Sequence, residues 1–541
     1  QHIPMVTGAL RAYRGNANPY YYNLAENFWQ MIQGRYRYAM GGVGNGEMFR
    51  QPYSQITSMC NNVTSWGGRD LHPEPTINET CCAYNLAKLT KDLNCYRPDD
   101  AAYMDYYERL LYNQLVGSLN PREYQVVYQY AVGLDASKPW GNETPQSTCC
   151  GGTGAENHVK YQEAAYFVSD NTLWVALYLP TTAQWDARGV TIRQQCQWPA
   201  EKSVITVTPQ SSPLTSNQFS MKLRVPYWAT EGFSVKLNGK EVARNYRPGS
   251  YVEIPARKWK AKDRVEVTMS FTKHLDFGPD KMEAAPAYEK DGKTEYTPMW
   301  TGTFMYGPLV MATTGIKSWD EATVDVAPDL SDVTLLGAKE GTGADASLYT
   351  LTFQGRTFIP DYQADRNATH YFRMNIPSPS TLNLPPSSTD IDRSALRELV
   401  LVAQGRVSEQ QAWQALTVKV PEYAPWAPHA YGRMEEQLAR SRQLLETADD
   451  AVTQEEIDKS ASAMNAIVNS MRPGNLPELE DMAELMDLLE KARQLPEGDR
   501  KADRAIGYAG MVIRYVSDGS GTHDMIERAA SQLREVLQQK D

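Results

Sequence analysis

The sequence predicts a multidomain chain in three successive regimes: helices, then antiparallel β-sandwich structure, then helical bundles. Three observations predict it. Apolar residues recur at helical spacing up to about residue 169, the period changes to two from about 170 to 385, and a charged helical pattern that repeats itself follows. At 541 residues the chain is long enough for three or four domains, each with its own core.

The first regime alternates amphipathic helices with loops rich in Gly, Pro and Tyr. In AAYMDYYERLLYNQLVGSL, Tyr103, Tyr106, Tyr107, Leu110, Leu111 and Leu115 share a helical face, with Asp99 or Asp100 placed to cap it. About half of the 32 tyrosines fall here. Such rings suit a sugar-binding cleft, having an apolar face and a hydroxyl, and suit ordinary helix packing equally well. The opening QHIPMVTGALRAY is helix-like from its first residues and lacks the basic start, apolar stretch and cleavage site of a secretory signal, so it reads as a chain entered in the middle of a domain.

Period-two segments follow: LWVALYLP, VTIRQQCQW, SVITVTP, FSMKLRVPYW, FSVKLNGKEV, SYVEIPA and RVEVTMSF, with a hairpin turn at Asn238-Gly239. They predict an antiparallel β-sandwich to about residue 275. A loop rich in charge and proline then leads to WTGTFMYGPLVMATTG, a buried strand-like run able to return to an earlier domain. Further strands in 316–385 end in the linker IPSPSTLNLPPSSTD. The expected domains are therefore 1–169, 170–315, 316–385 and 386–541. In the last, TQEEIDKSASAMNAIV and THDMIERAASQLREVL share Thr453 or Thr522, Ile457 or Ile526, Ala461 or Ala530, and Ile467 or Val536, which predicts two units of three helices. They resemble the FIVAR modules appended to extracellular carbohydrate-active enzymes; a generic amphipathic bundle fits the pattern as well.

Charge and hydropathy exclude two classes of partner. A formal net charge of -11 offers no footprint for a phosphate backbone, so nucleic acid is not expected. No run of about eighteen apolar residues occurs, so no membrane span is expected. Seven cysteines, Cys60, Cys81, Cys82, Cys95, Cys149, Cys150 and Cys196, are too sparse and irregular for a disulfide scaffold.

Four of those cysteines lie in two windows, TINETCCAYNLAKL and TCCGGTGAENHVKY. Each holds the Thr-x-x-Glu of a helix capping box, Thr76 with Glu79 and Thr153 with Glu156, which predicts helix starts there. Cys82 follows the stripe of Leu86, Leu89 and Leu93 and reads as buried. Glu79 and Cys81 can chelate one ion if the first turn is irregular, although capping competes for the same carboxylate. Cys149 and Cys150, just before a helix, are expected to ionise readily. Two adjacent thiolates, a distant one and a carboxylate would form a Cys3Glu tetrahedron suited to zinc; a vicinal disulfide or two inert thiols is the competing reading. In RYRYAMGGVGNGEMF, Glu47 follows four glycines, a position suited to a general acid or to a solvated loop.

Taken together, GGVGNGE (41–47), ETCCAYNLAKLT (79–90), YYERLLYNQL (106–115) and CCGGTGAENHVKY (149–161) resemble glycoside hydrolase families 127 and 146, bacterial β-L-arabinofuranosidases, the second more closely. The likeness continues through LWVALYLP, MKLRVPYWA and MYGPLVMA, over roughly residues 1–315. It implies an (α/α)6 barrel, here only its C-terminal part, followed by β-sandwich domains. It implies Zn2+ held by Glu79, Cys81, Cys149 and Cys150, with Cys149 as nucleophile and Glu47 as acid/base. It also implies a periplasmic or secreted location and, as substrate, a plant oligo- or polysaccharide containing L-arabinofuranose. His158 could contact substrate hydroxyls or cap its helix; Trp29 and Trp66 could stack on sugar or pack the core. The family usually has aromatic residues where this chain has Ser147 and Thr148. A non-catalytic carbohydrate-binding protein with a structural zinc is the alternative function.

Overall fold

In the computed structural model the described residues are 2–50, 52–60, 62–64, 72–120, 123, 125–140, 148–169, 171–210, 216–242, 246–279, 282–288, 294–336, 349–375, 391–416, 426–518 and 521–538. Trp66, Ser147 and the linker 376–390 lie outside them. Helices come first, β-sheets occupy the middle and helices end the chain.

Helix α1 (His2–Asn16) packs on α2 (Pro19–Arg35), which starts where the Asn18 side chain accepts from the Tyr20 N–H and Pro19 takes the first turn. The short α3 (Gln55–Cys60) precedes α4 (Thr80–Asn94) and α5 (Ala101–Leu110), and α5 continues as a π-helical turn, Leu111–Leu115. Asp100, not Asp99, caps α5. The tyrosines of α5 are buried. Trp29 proves to be a packing residue, 3% exposed, with its ring 4.6 Å from that of Tyr103 and its indole N–H bonded to Thr90 Oγ1 at 2.9 Å. The last helix of this part is α6 (Cys149–Asn157).

Two sheets follow. One orders the strands Lys240–Glu241, Ser234–Leu237, Arg264–Thr268, Lys202–Pro209, Val190–Gln195 and Thr181–Trp185; the other Ser250–Lys258, Gln218–Val225, Thr172–Val175 and Tyr166–Val168. Their buried faces share one core, with Trp185 of the first 5.0 Å from Phe219 of the second. The expected turn is present, with Asn238 and Gly239 both at positive φ, 52° and 79°. The antiparallel expectation needs one correction: Gln218–Val225 runs parallel to Thr172–Val175. Between them the chain crosses to the six-stranded sheet and back, and alternation specifies a strand's face but not its direction.

A third, ten-stranded sheet is built around the long strand Thr294–Tyr306, which pairs with Lys273–Asp276, Met282–Tyr288, Leu309–Thr314 and Phe372–Asn375. Residues read as a loop after 275 thus include the paired strand 282–288 and the first part of 294–306, whose remainder is the strand-like run expected from Trp300. The strands on either side of residue 315 belong to this one sheet. The run MYGPLVMA does return to the helical part: Asn113 donates to the Pro308 carbonyl at 2.9 Å and accepts from the Val310 N–H at 2.8 Å.

Buried charges tie these parts together. Arg224, fully buried, meets Asp105 and Glu108 of α5, and Asp276 meets Arg109 at 2.8 Å and Arg37 at 3.1 Å. Asp361 accepts from Tyr130, pairs with His370 Nε2 at 2.6 Å and, through its carbonyl, accepts from Lys138 at 2.8 Å, bracing the strand Gln129–Val132.

The remaining helices form two trios: α7 (Ser394–Ala415), α8 (Pro428–Glu446) and α9 (Gln454–Ser470), then α10 (Ala483–Arg493), α11 (Arg500–Asp518) and α12 (His523–Gln538). Each trio has its own core, and the repeated positions Ala461 and Ala530, Met464 and Leu533, Ile467 and Val536 are buried in them. Thr453 and Thr522 both cap the last helix of their trio through Oγ1.

Candidate active site

Glu79 and Cys81 stand at a strand-to-helix junction. Thr76–Glu79 is a strand, paired residue by residue with Gln129–Val132, and α4 begins at Thr80. The capping box expected of Thr76 and Glu79 is therefore absent, and Glu79, at the N-cap position, makes no side-chain cap. The first turn is anchored instead by Thr80, which donates from Oγ1 to the Val127 carbonyl at 2.7 Å and from N to the Tyr128 carbonyl at 3.0 Å. This leaves the Glu79 carboxylate to face sulfur. Its Oε1 lies 3.4 Å from Cys150 Sγ and 3.8 Å from Cys149 Sγ, and its Oε2 accepts from Cys82 at 3.6 Å.

The second window starts its helix five residues earlier than its Thr-x-x-Glu suggests. Thr148 is the cap, accepting from the Gly151 N–H at 3.2 Å, so Cys149 and Cys150 occupy the first turn. Thr153 lies inside the helix, its hydroxyl 3.2 Å from Cys81 Sγ, while Glu156 is bound by Tyr84 and Lys160. Gly154 permits the packing, because a β-carbon there would stand 2.9 Å from Val126. The two helix starts bring Cys150 Sγ to 3.0 Å from Cys81 Sγ.

One donor atom each from Glu79, Cys81, Cys149 and Cys150 falls within 4.8 Å of the others. Cys150 is buried, Cys149 exposed, and Glu79 and Cys81 lie between. Three thiols and a carboxylate converging at two helix N-termini can hold a metal ion: the donors are anionic once deprotonated, and the terminal N–H groups favour that charge. Of the four cysteines here only Cys81 is lowered in the protein alone, and it lies outside the Cys149–Cys150 pair. Cys81 is lowered to about 7 by the hydrogen bond from Cys150, against burial, with help from Thr153. Cys150 is raised by that same bond and by burial, Cys149 is raised chiefly by burial, and burial pushes Cys82 up to about 12. The expectation that Cys149 and Cys150 ionise readily is not met in the protein alone, where both are raised.

Glu47 is exposed, in a left-handed conformation at φ 65°, after Gly41, Gly44 and Gly46, which also have positive φ. Its loop is stitched to the site where Gly46 N–H donates to the Ile77 carbonyl at 3.0 Å, two residues before Glu79. Tyr128, which sequence reasoning missed, donates its hydroxyl to Glu47 Oε1. That bond, first, then burial and the charges of Glu47, Glu79 and Cys150 raise the Tyr128 phenol. The strand alternation in QVVYQYAV was readable, but nothing in it names the partner. His158 sits at the C-terminal end of α6, opposite Cys149, its Nδ1 bonded to the Tyr161 hydroxyl and its Nε2 buried without a partner among the described residues. Burial lowers it to about 4, so the ring is neutral.

Residues 1–163 match the family model described as the β-L-arabinofuranosidase GH127 catalytic domain, and residues 172–271 match the GH127 middle domain. The chain carries the GH127 catalytic and middle domains. GH127 is a family of β-L-arabinofuranosidase-like glycosidases. A curated relative, the non-reducing end β-L-arabinofuranosidase of Bifidobacterium longum subsp. longum, is 22% identical over 273 residues, 47% of this chain and 37% of that protein. A solved structure described as a glycoside hydrolase shares the fold with a TM-score of 0.51 at 17% identity, over 69% of this chain and 65% of that one. A GH127 β-L-arabinofuranosidase from Geobacillus stearothermophilus T6 aligns over 69% of this chain and 60% of its own, with a TM-score of 0.47 and 18% identity. The chain thus spans less than two thirds of the length of these relatives. No helix among the described residues is long and apolar enough to cross a membrane.

Proposed function

We propose that the chain is a retaining glycosidase that releases L-arabinofuranose from plant glycans, with Cys149 as nucleophile, Glu47 as acid/base, and zinc held by Glu79, Cys81, Cys149 and Cys150. The observation that carries this reading is the asymmetry of the cysteine pair: Cys149 is exposed and Cys150 buried within a four-donor cluster of a GH127 catalytic domain. Mixed sulfur and oxygen donors in a set of four suit zinc. When bound, zinc supplies the charge that keeps all three thiols deprotonated at neutral pH and makes sulfur a better leaving group.

The reaction then follows from where the side chains stand. Cys149 Sγ, on the open side of the cluster, forms a bond to the anomeric carbon as the glycosidic C–O bond breaks, and Glu47 gives its proton to the departing oxygen. Water next attacks the same carbon, its proton passes to Glu47, and the S–C bond breaks with its electron pair returning to Cys149. Tyr128 orients the Glu47 carboxylate for both transfers. Cys150, being buried, serves as a ligand. His158 holds the end of α6 through Tyr161 in this reading, and a direct contact of its ring with sugar is the secondary assignment.

Several finer readings belong with this proposal. The N-terminal helices are part of an (α/α)6 barrel, the sheet pair with its shared core is a β-sandwich, the motifs lie nearer family 146 than 127, and the two C-terminal trios are FIVAR-like. The deciding experiment is hydrolysis of an aryl β-L-arabinofuranoside by the wild type, Cys149→Ser and Glu47→Gln. Loss of turnover in both variants with zinc still bound to Glu47→Gln is expected; turnover unaffected by both changes eliminates the mechanism. Glycan and zinc binding without turnover in the wild type would mean a carbohydrate-binding protein with a structural metal.

A further inference from the structure

Tyr53, six residues after Glu47, has φ at 57°, a left-handed conformation that a residue with a β-carbon keeps only where its surroundings enforce it. Three contacts do so. Its N–H donates to the Arg35 carbonyl at 3.3 Å, its hydroxyl donates to Glu398 Oε2 at 2.6 Å, and its carbonyl accepts from Asn465 Nδ2. Glu398 lies on α7 and is also held by Arg35 Nε at 2.9 Å; Asn465 lies on α9, is 4% exposed, and has its amide oriented by Asn469 at 3.0 Å. Two of the three partners thus come from the first C-terminal trio, hundreds of residues away in sequence.

The segment these contacts terminate needs such support. Gly41, Gly44 and Gly46 all have positive φ and supply no side chain to pack, and Glu47 itself is exposed and left-handed. Its upstream end is fixed where Tyr106 donates to the Gly41 carbonyl at 2.8 Å and Gly41 N–H donates to the Tyr38 carbonyl at 2.8 Å. Its downstream end reaches Phe49, whose ring stands 5.0 Å from Tyr36, and then Tyr53. We infer that Asn465 and Glu398 are positioning residues: by gripping Tyr53 they hold the Gly41–Arg50 segment so that Glu47 meets Tyr128 beside the cysteine cluster. The first C-terminal trio is then a brace on the general acid rather than only an appended module. This rests on Glu47 as acid/base, and the test separates the two.

The full chain is compared with Asn465→Ala and with the milder Tyr53→Phe, which keeps the ring and removes the hydroxyl. Hydrogen exchange in peptides from Gly41–Arg50 is expected to quicken by about tenfold or more in Asn465→Ala, with peptides of α4 and α6 unchanged. Turnover of an alkyl β-L-arabinofuranoside, whose leaving oxygen needs a proton, should fall about tenfold in both variants, while that of the 4-nitrophenyl glycoside, whose leaving group departs as an anion, falls less than about twofold. Wild-type exchange of the segment in both variants overturns the brace, and so do equal losses on the two substrates where Glu47→Gln discriminates between them. If Glu47→Gln itself loses both equally, the acid assignment fails and the exchange data alone judge the brace.

Discussion

Cys81 and Cys150 bring their sulfur atoms within 3.0 Å of each other although 69 residues separate them. Each sits in the first turn of its helix, so this contact joins two helix N-termini and closes the cluster that faces Glu79. Zinc binding should therefore be stoichiometric and depend on both. We expect one equivalent bound by metal analysis, and loss of at least tenfold in affinity for Cys81→Ser or Cys150→Ser, with protons released as zinc binds to the wild type.

The same contact predicts what happens without the metal. Chelator-stripped protein exposed to a mild oxidant should form a Cys81–Cys150 crosslink, because Cys81 is the most acidic thiol of the group and Cys150 is the sulfur bonded to it. Peptide mapping by mass spectrometry reads the outcome. A Cys149–Cys150 vicinal bond as the main product would contradict this geometry.

Tyr128 offers a test of how Glu47 is held. Tyr128→Phe removes the hydroxyl that bonds Glu47 Oε1 and leaves the metal ligands in place. A loss of kcat of about 10- to 100-fold, with KM and zinc content close to wild type, is the expected result.

Stability should depend on pH through His274. Burial, with the charge of Arg109 beside it, lowers this histidine from 6.5 to about 4. The unfolded chain then binds the proton more readily, so the neutral ring's contribution is fully present above pH 6.5 and is lost as pH falls toward 4. Its size is about 3 kcal/mol. Urea unfolding between pH 4 and 7 should show the slope, and His274→Gln should reduce it, leaving the share of His158, which burial also lowers to about 4.

Arg224 carries the junction between the helical part and the sheets. Besides its two carboxylate partners, its Nε donates to the Ala176 carbonyl at 2.6 Å. Arg224→Met would leave Asp105 and Glu108 buried together without their cation. Destabilisation of about 3–5 kcal/mol is expected in equilibrium unfolding.

Much of this was legible in the residues. The tyrosine stripe of α5, the Asn238-Gly239 turn and the doubled Thr453 and Thr522 pattern are local codes, and they specify helix faces, hairpins and caps without reference to the rest of the chain. The four ligand candidates were also picked out, two windows apart. Their capping was misread, because Thr-x-x-Glu cannot say whether its threonine ends a strand or opens a helix; pairing with Gln129–Val132 decided the first case and Thr148 the second.

The sequence by itself determined the order of helices, strands and helices, and it picked out the four donor side chains that the structure brings together, since period, turn residues and donor atoms are properties of short segments. Only the tertiary structure decided that Cys149 is open and Cys150 buried, that Tyr128 meets Glu47, and that Asn465 reaches Tyr53. The reason is physical: these contacts join segments 70 to 412 residues apart, and which distant surfaces meet depends on the packing of the whole chain, not on the pattern within any one stretch.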